Sequence, residues 1–483
     1  MAFKLYFLSF FLITVNPLLA QDKTSGIQTI ISREMQERRI PGLQLAVVQH
    51  GKIVFSKSYG IANIQDSIPV TGKTVFAINS CTKVFTSVAI MQLAEAGKLN
   101  LSAPVSAYID SLPATWKAVT IKQLLTHTSG FPDLLKVLDP DVGSVGTLKR
   151  EQVIWEKLKT IPMEFKPGER FSYNQTNAYL LGKIIDKLYG QPFARIFAEN
   201  QFQPVGMQST VFGDSRDIIP HFAPTYSYKQ YIDGQKLNKE VLTNNYYEFP
   251  YFHRTASGLN STAEDMAKWI IALQSGVFLK SKSTLDTMWS PATFNNGTPT
   301  PWALGWGLTK FRQHHRAIGM SGGGRSAFLI YPDDDLAIIV LTNLAGGSPE
   351  DFLEELAGCY NPEIPNADPV TYLRITLRKT GFEQAIEITD REKKQNPLFN
   401  PNEFELNEWA YRMMSKNQLK EATEIFKLNV HLYPQSWNTY DSYGEALLKG
   451  GFRAEAISMY KKSVALNPDN GHGKKVLEQL SAP

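Results

Sequence analysis

The sequence predicts an α+β domain in residues 21–360, followed by an all-α tail in residues 370–483. Three observations predict this class. β-rich runs lie near both ends of the first segment, helical patterns lie between them, and a 34-residue repeat occupies the tail. Strands at both ends with helices between them indicate a sheet that joins distant parts of the chain.

The β-rich runs open and close the first segment. Residues 43–60, LQLAVVQHGKIVFSKSYG, form two such runs that meet at His50-Gly51-Lys52, which is a hairpin signal. β-rich sequence returns only in residues 325–342, RSAFLIYPDDDLAIIVLT. We expect the two regions to share one sheet.

Helical patterns fill the middle of the chain. Residues 76–99, FAINSCTKVFTSVAIMQLAEAGKL, are strongly apolar and predict a buried helix. Residues 177–190, NAYLLGKIIDKLYG, are a second helical piece. Ser261 or Thr262 caps a third, whose first turn carries two acidic residues.

The tail repeats its pattern with a period of 34 residues. The matched positions are Glu421-Ala422 with Glu455-Ala456, Phe426 with Tyr460, and Pro434 with Pro468. Small and aromatic residues at these offsets resemble tetratricopeptide helical hairpins. A fainter copy at residues 381–388 suggests a third, irregular unit, and the Pro-rich residues 361–369 are the expected linker.

Composition limits the possible partners. The formal net charge is +4 with no block of basic residues, so a nucleic-acid partner is not indicated. The two cysteines, Cys81 and Cys359, form no CxxC motif, and HExxH is absent from the sequence. We therefore expect no metal and no organic cofactor.

The first twenty residues resemble a secretory signal. Lys4 precedes a short apolar run that ends at Ala20 and is interrupted by Thr14, Asn16 and Pro17, which favours a cleavable signal over a permanent anchor. No later segment of the sequence is apolar enough to cross a bilayer. We expect an exported protein, periplasmic or secreted.

The buried helix at residues 76–99 opens on a polar tetrad, Ser80-Cys81-Thr82-Lys83. Residues three apart on a helix share a face, so Lys83 can reach Ser80 and activate its hydroxyl as a nucleophile. The alternative is a helix cap followed by a surface lysine. Ser-x-x-Lys alone is a weak signal, because it also occurs at Ser458 to Lys461 inside the repeats.

The surrounding sequence decides between these alternatives. FAINSCTKVFTSVAIMQLAEAGKLNLSAPVSAYI resembles the first motif region of serine β-lactamases and penicillin-binding proteins, in particular the class C β-lactamase and family VIII esterase branch. IKQLLTHTSGFPD, FSYNQTNAYLLGKIID, SGLNSTAEDMAKW, ALGWGL and IGMSGGGRSAFLIYPDDDLAIIVLTN are similar to later landmarks of that family, in the same order. The resemblance covers about residues 25–358. It implies a β-lactamase/transpeptidase-like fold.

The resemblance also implies roles for individual residues. Ser80 would be the acyl-accepting nucleophile, Lys83 would help to deprotonate it, and Tyr173 would act as general base and acid. The third motif would fall at Met320-Ser321-Gly322, on a strand edge that faces Ser80. The N–H groups of Gly323 and Ser80 would then form the oxyanion hole.

Two residues depart from the family pattern. Gln175 stands where the second motif usually has Asn, which moves the amide by one methylene, although Asn174 beside it could compensate in part. Met320 replaces a cationic or imidazole residue, and a thioether cannot pair with a substrate carboxylate. Met320 therefore favours a neutral ester or amide, unless Arg325 nearby supplies the missing charge.

We therefore expect an exported serine hydrolase that forms a Ser80 acyl-enzyme on an ester, amide or β-lactam-like bond of a small-molecule or peptide substrate. Esterase or peptidase activity is favoured over efficient β-lactamase activity. The alternative is a degenerate penicillin-recognising module that binds peptide or cell-wall fragments, with the repeats as a protein-interaction scaffold. An aromatic-rich insertion at residues 222–252 either roofs the cleft or packs on itself.

Overall fold

A computed structural model describes residues 17–137, 147–232 and 234–481. Most of the predicted signal segment, residues 1–20, lies outside these ranges, so its prediction is not addressed by the structure. Within the described ranges, no helix combines the length and the apolarity that a membrane span requires.

The strands of the described residues are short and spread along the chain. They are β1 (Gly42–Gln49), β2 (Lys52–Asn63), β3 (Ile68–Pro69), β4 (Phe76–Ala77), β5 (Val211–Phe212), β6 (Tyr226–Ile232), β7 (Gln235–Asn244), β8 (Leu259–Ser261), β9 (Leu308–Lys310), β10 (Ala317–Gly322), β11 (Ser326–Tyr331) and β12 (Leu336–Thr342).

Helices occupy most of the remaining chain. They are α1 (Pro17–Arg38), α2 (Thr82–Glu95), α3 (Ile121–Leu125), α4 (Thr147–Thr160), α5 (Gln175–Tyr189), α6 (Phe193–Phe197), α7 (Arg254–Ser257), α8 (Ala263–Gln274), α9 (Lys282–Met288), α10 (Leu353–Gly358), α11 (Glu363–Ala367), α12 (Pro369–Thr380), α13 (Ala385–Gln395), α14 (Glu403–Ser415), α15 (Leu419–Leu432), α16 (Trp437–Lys449), α17 (Arg453–Leu466) and α18 (Gly471–Ser481).

The main sheet joins the two ends of the α+β segment, as the sequence predicts. Its strand order is β3-β2-β1-β12-β11-β10-β9, and every neighbouring pair is antiparallel. The β1–β2 hairpin turns at His50 and Gly51, whose φ angles of 49° and 67° are those of a turn that matches the twist of antiparallel strands. The predicted fold class is confirmed.

Both faces of this sheet are covered. Alternate residues of β1 point to opposite sides, so Ala46 and Val48 pack with α2, α5 and α8, whereas Leu45 and Val47 pack with α1 and α10. The predicted buried helix corresponds to α2, in which most residues from Thr82 to Leu93 are buried. Three layers result, with the candidate site at the start of α2.

The segment predicted as a linker, residues 361–369, is packed against the domain. It contains α11, and Ile364 is fully buried in the apolar layer that α1 and α10 also form. The connection to the tail is therefore not an extended spacer.

The tail is helical throughout its described part. α14 and α16 begin 34 residues apart, and so do α15 and α17. Ala422 and Phe426 of α15 pack with Ala410 of α14 and Ala446 of α16 in one apolar cluster. The spacing of these helices matches the period of the sequence.

The insertion at residues 222–252 contains the β6–β7 hairpin. Tyr226 is buried and its hydroxyl accepts a hydrogen bond from the N–H of Ile64, whereas Tyr231 and Tyr246 are exposed. The aromatic residues of the insertion thus divide between packing and solvent exposure.

Candidate active site

Ser80 lies in a 3-10 turn, Asn79–Cys81, that leads directly into α2. Two hydrogen bonds hold this turn against strands β10 and β11. The hydroxyl of Ser326 donates to the carbonyl of Ile78 at 2.7 Å, and the Cys81 thiol donates to the carbonyl of Met320 at 3.5 Å. Burial raises the pKa of Cys81 to about 12, so this thiol stays protonated and serves as a packing group.

Lys83 is 4% exposed and reaches back to Ser80 from the first turn of α2. Its ammonium group donates to Ser80 Oγ at 3.3 Å, to Gln175 Oε1 at 3.0 Å and to the carbonyl of Ala256 at 2.9 Å. All three acceptors are neutral. They satisfy the three N–H bonds of a buried ammonium group without a counter-charge in contact.

Tyr173 completes the contacts of Ser80. Its hydroxyl donates to Ser80 Oγ at 2.8 Å, and its ring centroid is 4.8 Å from the ammonium nitrogen of Lys83, a cation–π contact. The structure therefore brings together Ser80, Lys83 and Tyr173, although Ser80 and Tyr173 are 93 residues apart in sequence.

Gln175 keeps the amide contact that its motif position predicts, because its Oε1 accepts from Lys83. Asn174 does not share this task. Its side chain accepts from the N–H of Thr176 and donates to the carbonyl of Phe131 at 2.6 Å, so it caps α5. The expected partial compensation by Asn174 is wrong for this reason.

Two histidines near Lys83 are buried and neutral. Burial, and next to it the charge of Lys83, holds the pKa of His127 well below its usual range and lowers that of His253 to about 3. His127 Nδ1 accepts from the N–H of Asn174 at 3.1 Å, so the neutral ring carries its proton on Nε2. Neither histidine therefore adds a positive charge beside Lys83.

The predicted third motif lies on β10, beside the Ser80 turn. β9 pairs only with Ala317–Gly319, which leaves Met320–Gly322 as an open strand edge in the described part of the sheet. A side chain at Gly322 would lie 2.0 Å from the carbonyl of Ile78, so only glycine allows this approach. Ser321 is half-buried on the same edge.

Gly323 comes directly after the open edge of β10 and packs against Asn79, the residue before Ser80. A Cβ on Gly323 would be 2.5 Å from Nδ2 of Asn79, and the φ of 58° at Gly323 favours glycine as well. Within the described residues, the N–H groups of Gly323 and Ser80 have no hydrogen-bond acceptor. Both remain free to bind a ligand oxygen.

Met320 and Arg325 are both buried. Met320 is 2% exposed and belongs to the apolar cluster against which Tyr173 and Trp302 pack. Arg325 donates to Thr225 Oγ1 at 3.2 Å and lies 5.2 Å from the ring centre of Tyr247, and burial lowers its pKa to about 10. Its guanidinium group is thus held against the insertion rather than displayed in an open cleft.

Sequence reasoning missed two residues of the site. The carbonyl of Ala256 binds Lys83, and no side-chain motif can indicate a backbone acceptor. The ring of Trp302 lies 5.4 Å from that of Tyr173 and 5.0 Å from that of His127. Its only sequence signal is its position just before the ALGWGL landmark, where Gly307 leaves room for the indole.

Comparison with known proteins agrees with this geometry. A family model described as Beta-lactamase matches residues 27–358. The chain is 27% identical over 354 residues to Protein flp of Staphylococcus aureus strain MW2, which covers 72% of this chain and 68% of that protein. It is 28% identical over 332 residues to penicillin-binding protein 4* of Bacillus subtilis strain 168, which covers 67% of this chain and 73% of that protein.

Among solved structures, the chain is similar to the octameric penicillin-binding protein homologue from Pyrococcus abyssi. The TM-score is 0.59 at 25% sequence identity, over 74% of this chain and 81% of that one. The family match ends at residue 358, so the helical tail lies outside it.

Proposed function

This chain belongs to the β-lactamase family and is a serine hydrolase, and from that premise we propose that it cleaves neutral esters or amides through an acyl-enzyme on Ser80. The observation that carries the proposal is the placement of Ser80 Oγ 2.8 Å from the hydroxyl of Tyr173 and 3.3 Å from the ammonium group of Lys83. Both groups are within reach for proton transfer.

The proposed reaction has two halves. The pair formed by Tyr173 and Lys83 first gives up one proton to solvent, so that it can accept another. Ser80 Oγ then attacks the substrate carbonyl while its proton passes through Tyr173 to this pair, and the same proton is delivered to the leaving alcohol or amine. The C–O or C–N bond breaks and an ester to Ser80 remains. Water then attacks this ester, its proton returns through the same pair, and the carboxylic acid leaves with Ser80 restored.

The developing oxyanion would be bound by two backbone donors. The free N–H groups of Ser80 and Gly323 support this role, because they are fixed by the turn and by the close packing of Gly323 on Asn79. Gln175 and the carbonyl of Ala256 act as positioning groups for Lys83.

Two buried side chains support a preference for neutral substrates. Met320 occupies the position from which a charged residue would pair with a carboxylate, and Arg325 is directed to Thr225 and Tyr247 instead. We therefore favour an esterase, amidase or peptidase over an efficient β-lactamase. A small-molecule or peptide substrate suits the open edge at Ser321.

The test is the intact mass of the protein after incubation with a fluorophosphonate and, separately, with a penicillin. We expect one equivalent of phosphonate on the wild type, no phosphonate on Ser80→Ala, and little penicillin adduct. Ser458→Ala is the matched control, since Ser458 is an exposed serine with the same spacing to a lysine. It should label like the wild type.

The second candidate function is a penicillin-recognising module without turnover. The departures at Met320 and Gln175 favour it. A folded wild type that takes up neither reagent and hydrolyses no aryl ester would replace the enzyme proposal with this one. Rapid penicillin labelling would instead contradict the assigned preference for neutral substrates.

We also propose that the protein is exported, to the periplasm or beyond, on the strength of residues 1–20. Cell fractionation of the native strain, with mass determination of the mature N-terminus, tests this. A mature chain that begins at Gln21 supports export, and an uncleaved chain in the cytoplasmic fraction contradicts it.

We further propose that the tail consists of tetratricopeptide-like repeats that bind a protein or peptide partner. The 34-residue spacing of helix starts and the packing of Gly444 against Tyr460 support the repeat assignment. Ala410 is the matching small residue one period earlier, so Gly444→Ala should leave the melting temperature nearly unchanged while Gly444→Phe lowers it. Equal melting temperatures for the two variants would contradict the repeat register.

A further inference from the structure

A cavity of about 370 Å³ lies where the hydrolase domain meets the helical tail, away from Ser80. The hydrolase side is formed by α1 and the start of α10, and the tail side by α12, α14 and the beginning of α15. The volume is in the range of small-molecule sites in proteins. Neither part of the chain forms this cavity alone.

The lining of the cavity carries more basic than acidic side chains. Its cationic side chains are Arg33, Arg38, Arg378, Lys379, Arg412 and Lys416. Its acidic side chains are fewer: Glu37, Asp351, Glu355 and Glu421. An anion is the ligand that such an excess of positive charge attracts.

Two buried carboxylates around the cavity are already shared among guanidinium groups. Asp351 contacts three arginines, Arg38 at 3.1 Å, Arg374 at 3.0 Å and Arg412 at 2.8 Å. Glu34, just behind the lining, likewise contacts three arginines, and their charges lower its pKa to about 2. These carboxylates are therefore occupied.

Two cationic side chains of the lining, Lys379 and Lys416, have no hydrogen bond or ion pair with a described residue, and Lys416 is the less exposed of the two. Burial, together with the charges of Arg38 and Arg412, lowers its pKa to about 7, against the opposing pull of Asp351 and Glu34. An anion that enters the cavity would give this side chain an ionic partner and would favour its charged form.

Apolar side chains also line the cavity. Trp409, Phe382 and Met413 lie beside the charged groups, and Ile375 adds a further aliphatic surface. A ligand that carries one anionic group on an apolar body would match both kinds of lining residue.

We propose that this cavity binds a small organic anion, a carboxylate or phosphate monoester with an apolar body, whose charged group is held by Lys416. The site is distinct from the acyl-transfer site and contains residues of both the hydrolase domain and the tail. A bound anion would therefore strengthen the contact between these two parts of the chain.

The test is calorimetric titration of the purified full-length protein with phenyl phosphate, benzoate and inorganic phosphate, at ionic strength matched with sodium chloride. We expect saturable binding of at least one aromatic probe. The aromatic probes separate phosphate from carboxylate recognition, and inorganic phosphate separates an apolar requirement from simple charge attraction.

Lys416→Met should weaken binding about 10- to 100-fold, the usual value for a hydrogen bond to a charged group. Lys420→Met is the matched control, because Lys420 is exposed just after Lys416 and does not line the cavity, and it should bind like the wild type. If Lys416→Met does not fold, Lys416→Gln takes its place. Circular dichroism checks the fold of each variant.

The proton balance provides a second readout. Because the anion favours the charged form of Lys416, binding near pH 8 should take up protons, which calorimetry in buffers of different ionisation enthalpy detects. This uptake should disappear in the Lys416 variant. Absence of saturable binding by all three probes, or equal binding by the wild type and Lys416→Met, overturns the proposal.

Discussion

Lys83 and Lys310 are both held by hydrogen bonds inside the protein, but their surroundings differ in charge. Lys83 donates only to neutral oxygens, those of Ser80, Gln175 and Ala256. Lys310, on β9, contacts two carboxylates of the tail side, Asp368 at 2.8 Å and Glu405 at 2.5 Å. These carboxylates raise the pKa of Lys310 above its usual range.

The difference suits the chemical role proposed for Lys83 and a structural role for Lys310. Carboxylates beside Lys310 fix its proton and tie the sheet to the tail, because breaking such a pair leaves an uncompensated buried charge. Neutral acceptors orient Lys83 without binding its proton in an ion pair, as a proton path requires. Substitutions at Lys83 should therefore lower the rate of catalysis. Substitutions at the boundary between the hydrolase domain and the helical tail should instead lower the stability of the fold.

The largest effect is expected at the candidate active site. Lys83→Met should lower the rate of aryl-ester hydrolysis about 10²- to 10⁴-fold, since a positioned proton-transfer group contributes this much. The protein should remain folded, because the variant removes a buried charge. Lys461→Met, in the other Ser-x-x-Lys segment, is the control and should keep full activity. A rate for Lys83→Met within a few-fold of the wild type would contradict the proton path.

The next largest effect is expected at the boundary between the hydrolase domain and the helical tail. Asp351→Asn removes the charge that Arg38, Arg374 and Arg412 share, and should lower the free energy of unfolding by about 3–5 kcal/mol. Urea unfolding measures this change. Fluorophosphonate labelling of Ser80 in the folded variant should be unchanged.

Glu408→Gln is the control for that substitution. Glu408 is 44% exposed and contacts Arg412 at 3.4 Å, so its loss should cost no more than about 1 kcal/mol. If both substitutions cost the same, the buried charge cluster does not hold the tail to the domain.

The sequence predicted the sheet from its β-rich runs, and the resemblance of short motifs to a known family implied the meeting of Ser80, Lys83 and Tyr173. The β-rich runs at 43–60 and 325–342 predicted strands that must pair with other strands, and they pair with each other. Short motifs indicated the three side chains. The roles assigned to them remain predictions.

The rest depends on long-range geometry that leaves no local pattern. Ala256 binds Lys83 through a backbone carbonyl. Asp351 forms ion pairs with Arg38 of α1 and Arg412 of α14, which lie on opposite sides of residue 360 in the sequence. The sequence of a helix does not indicate which distant residue a charged side chain will contact. The boundary at residues 361–369 was therefore predicted from its prolines as a linker. Ile364 packs in the apolar layer that α1 and α10 also form, a contact that composition alone does not indicate.

A smaller effect on stability is expected from pH. Glu354 is buried between Arg312 and Thr371, and burial together with the charge of Asp368 raises its pKa to about 7. The folded protein therefore keeps a proton that the unfolded chain loses above pH 4.5. The resulting stability is present below pH 4.5 and is lost as pH rises to 7, by about 2–3 kcal/mol.

Glu354→Gln should abolish this dependence. The free energy of unfolding of the wild type, relative to the variant, should fall between pH 4.5 and pH 7 and then level off. Parallel profiles for the two proteins would mean that Glu354 is ionised throughout, paired with Arg312 as an ordinary buried ion pair.

The smallest effect is expected from Gln175→Asn, which restores the residue that the family pattern usually has. The shorter side chain withdraws its oxygen from Lys83, to which it is bonded at 3.0 Å, but Ser80 and Ala256 remain as acceptors. The turnover number should fall less than about tenfold, whereas Gln175→Leu, which has no acceptor, should lose about 10- to 100-fold, as for other groups that orient a reacting residue. Equal losses would mean that Lys83 needs an oxygen at the position Gln provides, and that the extra methylene is part of how this chain places its proton path. Equal, undiminished rates would mean that Ser80 and the carbonyl of Ala256 are sufficient to position Lys83, so that the residue at position 175 is free to vary with the substrate.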